Sequence, residues 1–130
     1  MSFFYIASPY THKEASVREK RFKEAMKFTA ALMKLEIPCY SPIVHCHELA
    51  NTYELPTTFD YWIKMNHAMI DVSLGVVVLK LDGWDTSKGV ADEIEYAKSR
   101  YQGWILASDD PLDHKLLLAR YNNLTDEVPF

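Results

Sequence analysis

A chain of 130 residues with 48% apolar side chains, 14 basic against 18 acidic residues and a net charge of −4 has material for one hydrophobic core. The acidic balance argues against a broad nucleic-acid surface, which is normally basic, but not against a small anionic ligand. No apolar run reaches the ~20 residues of a membrane span, and the two lone cysteines, Cys39 and Cys46, suggest a reducing compartment, read here as the cytoplasm.

Phe3 to Ala7 reads as a short first strand, not a targeting leader, and is stopped by Ser8-Pro9-Tyr10. From Lys13 to Leu35 the period becomes helical: Val17, Ala25, Phe28, Leu32 and Leu35 share one face. Lys13, Arg18, Lys20, Arg21 and Lys23 then form its solvated side. Ile37 to Tyr40 is a second strand, ended by Ser41-Pro42. Pro42 to Thr58 is the least regular stretch and is expected to be a loop, a length at which loops are often functional.

A second helix is expected from about Thr58 to Ser73, followed by the strongest strand, Gly75 to Leu81, apolar almost throughout as in a strand buried on both faces. A helix from Ser87 to about Tyr101 comes next, then a strand at Trp104 to Ala107 and a last helix from Asp109 to Ala119. The polar tail, Asn122 to Phe130, is expected to be weakly ordered unless it packs on a partner subunit. The alternation predicts a single α/β domain over residues 1–130, three-layered, with a parallel sheet of four to five strands. Ligands of such sheets bind beyond the strands' carboxyl ends. Ser8 to Tyr10, Ser41 to His47, Asp82 to Gly89 and Ser108 to Asp110 should therefore share one rim.

At that rim a strand end, a turn bearing Ser87 and Gly89, and a helix carrying Glu93 form a place to hold an anion with a carboxylate beside it. Helix-start amides and the Ser87 hydroxyl suit a phosphate, and Gly89 admits close approach; equally, Ser87 can be a plain N-cap. Asp92, Glu93 and Glu95 point about 100° apart, and Glu93 is the one flanked by the buried stripe at Val90 and Ala97. Tyr5 is either core or the group that orients that carboxylate, and Trp84 either stacks on a base or caps the core. His45, Cys46 and His47, with Cys39, fit no zinc spacing, so no metal is expected.

Phe4-Tyr5-Ile6-Ala7-Ser8-Pro9-Tyr10 and Ser87-Lys88-Gly89-Val90-Ala91-Asp92-Glu93-Ile94-Glu95-Tyr96-Ala97 resemble the first strand and the glutamate-bearing helix of the nucleoside 2-deoxyribosyltransferase-like superfamily. Leu81-Asp82-Gly83-Trp84-Asp85 and Tyr40-Ser41-Pro42-Ile43 look closer still to a group of small uncharacterised bacterial and phage proteins within it. The resemblance, from Phe3 to about Ala107, implies a flavodoxin-like (Rossmann-like) fold and work on N-glycosidic bonds. It implies Glu93 as nucleophile or electrostatic stabiliser and Tyr5 as its positioning partner. Ser87 and Gly89 match the phosphate-holding turn of the deoxynucleoside 5′-monophosphate N-glycosidases. Asp85 keeps open the transferase reading, in which the substrate is a free nucleoside.

One departure stands out. Where superfamily members carry an acid serving the leaving base, this chain has Asn66, with His67 and Asp71 as nearby substitutes. The expected activity is hydrolysis of a nucleotide's C1′–N bond, with Asn66 as the group facing the base. Ser8, Pro9, Tyr10, His45, Trp84 and Asp92 are further substrate contacts. No cofactor is expected, and the partners are a small nucleotide or nucleoside and further copies of the chain in a homo-oligomer, with neither a nucleic-acid polymer nor a membrane. The alternatives are a deoxyribosyltransferase and a nucleotide sensor that lost its chemistry at Asn66.

Overall fold

The computed structural model describes residues 2–126. The elements run β1 (Phe4–Ala7), α1 (Ala15–Lys34), β2 (Cys39–Tyr40), α2 (Pro42–Tyr53), α3 (Phe59–Asp71), β3 (Gly75–Leu79), α4 (Lys88–Ser99), β4 (Trp104–Ala107) and α5 (Pro111–Asp126). The four strands form one all-parallel sheet in the order β2-β1-β3-β4. With helices on both faces, this is a three-layer, flavodoxin-like α/β fold.

The period-2 alternation of β1 and β3 divides the core. Phe4, Ile6, Val77 and Leu79 point to one face and meet Phe28 and Leu32 of α1 and Leu117 and Tyr121 of α5. Tyr5, Ala7, Val76 and Val78 point to the other and meet Ile70 of α3 with Val90 and Ala97 of α4. Each fully buried Phe, Leu or Val contributes roughly 1.5–3 kcal/mol of transfer free energy. The same alternation places Tyr5 on the α4 side of the sheet, where Glu93 lies.

The stretch expected to be a loop after Ser41 is instead a helix. Ser41 caps α2, its hydroxyl accepting the Val44 amide at 3.2 Å, and Pro42 occupies the first turn, where a missing N–H costs nothing. Pro42, Cys46, His47 and Ala50 then face inward, at helical spacing. Ser-Pro, read as the end of a strand, is also a helix start. Replacing Ser41 with Ala should cost about 1 kcal/mol, measurable as a lowered urea midpoint with unchanged slope.

Other boundaries shift by a few residues. β2 shrinks to a pair of residues because Pro38 and the αL turn at Glu36 (φ 60°) precede it. α5 runs on through Asn122 and Asn123 to Asp126, so the start of the expected weakly ordered tail is helical. Residues 127–130 of that tail lie outside the described residues. Gly75 opens β3 at φ 153° so close to β4 that an added Cβ would sit 2.8 Å from the Gly103 carbonyl oxygen. No helix among the described residues is long and apolar enough to cross a membrane.

Candidate functional site

β1 and β3 are neighbours in the sheet although α1, β2, α2 and α3 separate them in the chain, so the connections leaving them diverge and open a crevice. A cavity of about 480 Å³ occupies it, within the range of small-molecule sites. The loop after β1 supplies Ser8, Tyr10 and His12, α2 supplies Cys46 and His47, and α3 with the turn before it supplies Phe59, Trp62 and Asn66. Gly83, Ser87, Lys88, Gly89 and Glu93 come from the β3–α4 segment. Ser108 to Asp110, expected at this rim, are not in the wall. β4 is the edge strand beyond β3, and the carboxylates that follow it turn to other partners, Asp109 to Lys27 and His114 and Asp113 back to Ser108.

Glu93 is 4% exposed and lines the cavity. The Tyr5 hydroxyl, on a fully buried side chain, donates a hydrogen bond to its Oε2. Burial pushes the Glu93 carboxyl up to about 8, the negative charge of Asp92 adds to the rise, and the Tyr5 hydrogen bond opposes it. The free protein at neutral pH therefore holds most of this carboxyl protonated, close to its midpoint, the range useful for proton transfer. Burial, with the charge and hydrogen bond of Glu93, drives Tyr5 well above an ordinary phenol, so it remains a donor.

At the other end of the cavity Ser87 is both things its position allows. It is the N-cap of α4, accepting the Val90 amide at 3.2 Å, and it lines the cavity, where its hydroxyl hydrogen is free of that bond. The first-turn amides of Lys88 and Gly89 have no intrahelical acceptor. Gly89 does admit a close neighbour, but here it is the Phe59 ring: a Cβ would meet that ring at 3.0 Å. Arg21 was expected on the solvated side of α1; instead it lines the cavity, its guanidinium donating to the carbonyls of Thr11 (3.1 Å) and Asp82 (3.4 Å). Gly83, at φ 90°, makes room for it, since a Cβ would lie 2.7 Å from Nη2. Arg21, Lys88 and the α4 N-terminus contribute positive potential at this end, against the Asp60 carboxylate in the same wall.

Two buried acceptors in the wall have no partner among the described residues. Asn66 Oδ1 and Ser8 Oγ are unbonded, on residues 5% and 6% exposed. Leaving such atoms unpaired costs about 1–3 kcal/mol each, which a polar ligand would recover.

Four expected contacts fall outside the wall. Pro9 is buried behind Ser8 and Tyr10. His45 lies on the exposed side of α2 against the Tyr40 ring, because a helix turns it about 100° from Cys46. Trp84 packs on the Tyr5–Val78 cluster, the core-capping option. Asp92 bonds His67 Nε2 at 2.6 Å between α3 and α4. That pairing also occupies His67, which stacks on Tyr96, while Asp71 pairs with Arg100 (3.0 Å) and the Tyr96 hydroxyl (2.7 Å). Neither substitute for an acid at position 66 reaches the cavity.

Burial raises Cys46 to about 11, so it remains a thiol in the wall, and Cys39 is likewise raised to about 11. Among the described residues no group of three or more His, Cys, Asp or Glu side chains could hold a metal ion.

Residues 2–120 match the family described as Domain of unknown function (DUF1937), and the chain belongs to that family. No curated protein matches the chain significantly.

Proposed function

We propose that the cavity binds a nucleoside 5′-monophosphate and hydrolyses its N-glycosidic bond. The observation that carries this reading is that Glu93, hydrogen-bonded from behind by the buried Tyr5 hydroxyl, lines the same wall as the start of α4 and Arg21. Ser87, the first-turn amides of α4 and Arg21 hold the phosphate. The ribose or deoxyribose lies over Glu93, and the base fits between the Phe59 and Trp62 rings and the unpaired Asn66 Oδ1. As the C1′–N bond lengthens, positive charge grows on the sugar. The fraction of protein whose Glu93 has already released its proton to solvent meets that charge as an anion, acting as nucleophile or electrostatic stabiliser. The resemblance of β1 and α4 to the nucleoside 2-deoxyribosyltransferase-like superfamily supports the same assignment, and with it a homo-oligomer, while the two lone cysteines support action in the cytoplasm.

The test is release of free base, followed chromatographically, from a panel of ribo- and deoxyribonucleotides and the matching nucleosides. The expected result is turnover of at least one monophosphate, with kcat/KM at least about tenfold above its nucleoside, since each charge-assisted phosphate contact is worth ~1.5–3 kcal/mol. No release from any member overturns the hydrolase. Base exchange seen only with added acceptor base identifies a deoxyribosyltransferase. A second reading, a nucleotide sensor, draws on Asn66, whose amide cannot supply an acidic proton. Calorimetric binding without turnover would establish it.

A further inference from the structure

His47 is not used by the reaction as described, yet it is 3% exposed and fully engaged. Its ring stacks on Phe22 at 4.1 Å between centroids. Tyr10, another cavity residue, places its hydroxyl 2.7 Å from His47 Nδ1. On the opposite edge Nε2 lies 2.7 Å from Glu19 Oε2, whose side chain is 44% exposed on α1, and the Asn51 side-chain amide lies 3.2 Å from the same nitrogen. A continuous chain of hydrogen bonds thus runs from the cavity wall through a buried imidazole to a carboxylate at the surface.

Resting on the hydrolase reading, we propose that Tyr10, fed by His47 and Glu19, protonates the departing base, the task that Asn66 cannot perform. In its protonated form His47 donates from Nδ1 to Tyr10 and from Nε2 to Glu19, which leaves the Tyr10 hydrogen free for the ligand. When the C1′–N bond breaks, its electron pair goes to the base nitrogen. That nitrogen takes the Tyr10 proton, and the Nδ1 proton moves onto the Tyr10 oxygen. Neutral His47 keeps its bond to Glu19. Water attacks C1′, directly or at the Glu93 ester, and yields one proton to solvent; His47 regains one from solvent past Glu19. The sum is one water consumed, one sugar hydroxyl formed and one protonated base released.

Arg18, Arg21, Lys23 and Glu48 flank the relay, Lys23 Nζ lying 3.9 Å from Glu19 Oε1 and Arg21 Nη1 donating to the Tyr10 carbonyl at 3.5 Å. Burial raises the Tyr10 phenol above its ordinary value, with Arg18, at the start of α1, opposing the rise and Glu19 adding to it. Glu48 of α2 approaches Nε2 at 4.0 Å, so a second carboxylate faces the imidazole. Glu19 and Glu48 thus both present carboxylate oxygens to the Nε2 edge on the solvent side, and Arg18 lies at the Tyr10 end. Tyr10 is the catalytic residue of the relay; His47 and Glu19 are positioning residues that act through it.

The relay is tested with two substrates sharing one sugar phosphate: the best-cleaved nucleotide, and the 4-nitrophenyl glycoside, whose leaving group departs without a proton. Tyr10→Phe should slow nucleotide cleavage about a hundredfold and change 4-nitrophenol release less than about threefold, since general acids contribute 10²–10⁴. Glu19→Gln, at a half-exposed position where folding is safe, should show the same selectivity at about tenfold. Glu93→Gln should slow both substrates alike. Equal losses on the two substrates in Tyr10→Phe, or no loss on the nucleotide, overturn the relay and leave Glu93 untouched. A wild-type protein inert toward both overturns the hydrolase reading and the relay together.

Discussion

Glu93→Gln is expected to lower kcat/KM for base release by at least about a thousandfold while making the protein more stable above pH 5. The two effects share one cause. Glu93 is desolvated, and its carboxyl is raised from 4.5 to about 8. From the ordinary carboxylate range up to about pH 8, the unfolded chain has released a proton that the folded chain still holds. Wild-type stability therefore falls as pH rises through that window, by at most about 1.4 kcal/mol per pH unit, and levels off above it. Glutamine has no proton to lose, and its amide oxygen can still accept from Tyr5. The variant's advantage should be small near pH 4.5 and several kcal/mol at pH 8.5, read as the difference in urea midpoints at the two values. The chemistry responds in the opposite sense. A transition state with positive charge at C1′ needs the anion, which glutamine cannot provide. In the wild type kcat/KM for the 4-nitrophenyl glycoside, which takes no proton from the relay, should rise with pH to a plateau beyond about 8. A pH-flat profile, or a Gln variant destabilised at pH 8.5, would contradict the carboxyl's assigned state.

Residues with a strong period were readable before the structure. The unbroken Val76-Val77-Val78-Leu79 run fixed a central parallel strand, and the Val90-Ala97 stripe singled out Glu93 from Asp92 and Glu95. The pairing of Tyr5 with Glu93 came only from the resemblance; in the structure the alternation of β1 puts Tyr5 on the face that α4 covers, and the hydrogen bond forms there. What was not readable has local causes. Ser41-Pro42 ends a strand and starts a helix, and the inward side of α2 carries Cys46 and His47 in place of large aliphatics, which weakens its apolar stripe. Three helix ends turn through αL without glycine, at Glu36, Glu54 and Tyr101 (φ 60°, 55° and 59°), removing the usual stop signal. Arg21 looks like any charge on a solvated helix face. Its place in the wall depends on Gly83, some sixty residues on, whose open backbone receives the guanidinium. His45, Trp84 and Asp92 show the converse: a residue near a rim in sequence can point away from it, because one helical step or one turn redirects the side chain by about 100°.

Tyr5→Phe separates positioning from packing at the same centre. The ring of Tyr5 is fully buried beside Tyr40, with centroids 6.0 Å apart, and phenylalanine preserves that packing. What disappears is the donor to Glu93 Oε2, which is the influence holding the carboxyl down. Its removal leaves desolvation and Asp92 unopposed, so the carboxyl moves above about 8. At pH 7 a carboxyl at about 8 is roughly one-tenth ionised, and each further unit removes another factor of about ten. The expected loss in kcat/KM at pH 7 is therefore about ten- to a hundredfold, shrinking steadily as pH is raised and nearly absent at the alkaline plateau. The diagnostic is the displacement of the profile along the pH axis. A merely structural contribution of Tyr5 would scale the profile down equally at every pH. The displacement would also appear without turnover, as an alkaline shift in the carboxyl titration of a ¹³C-labelled glutamate observed by NMR. A wild-type midpoint in the ordinary carboxylate range, or an unshifted midpoint in the Phe variant, would remove Tyr5 from its role as the group that keeps Glu93 within reach of ionisation.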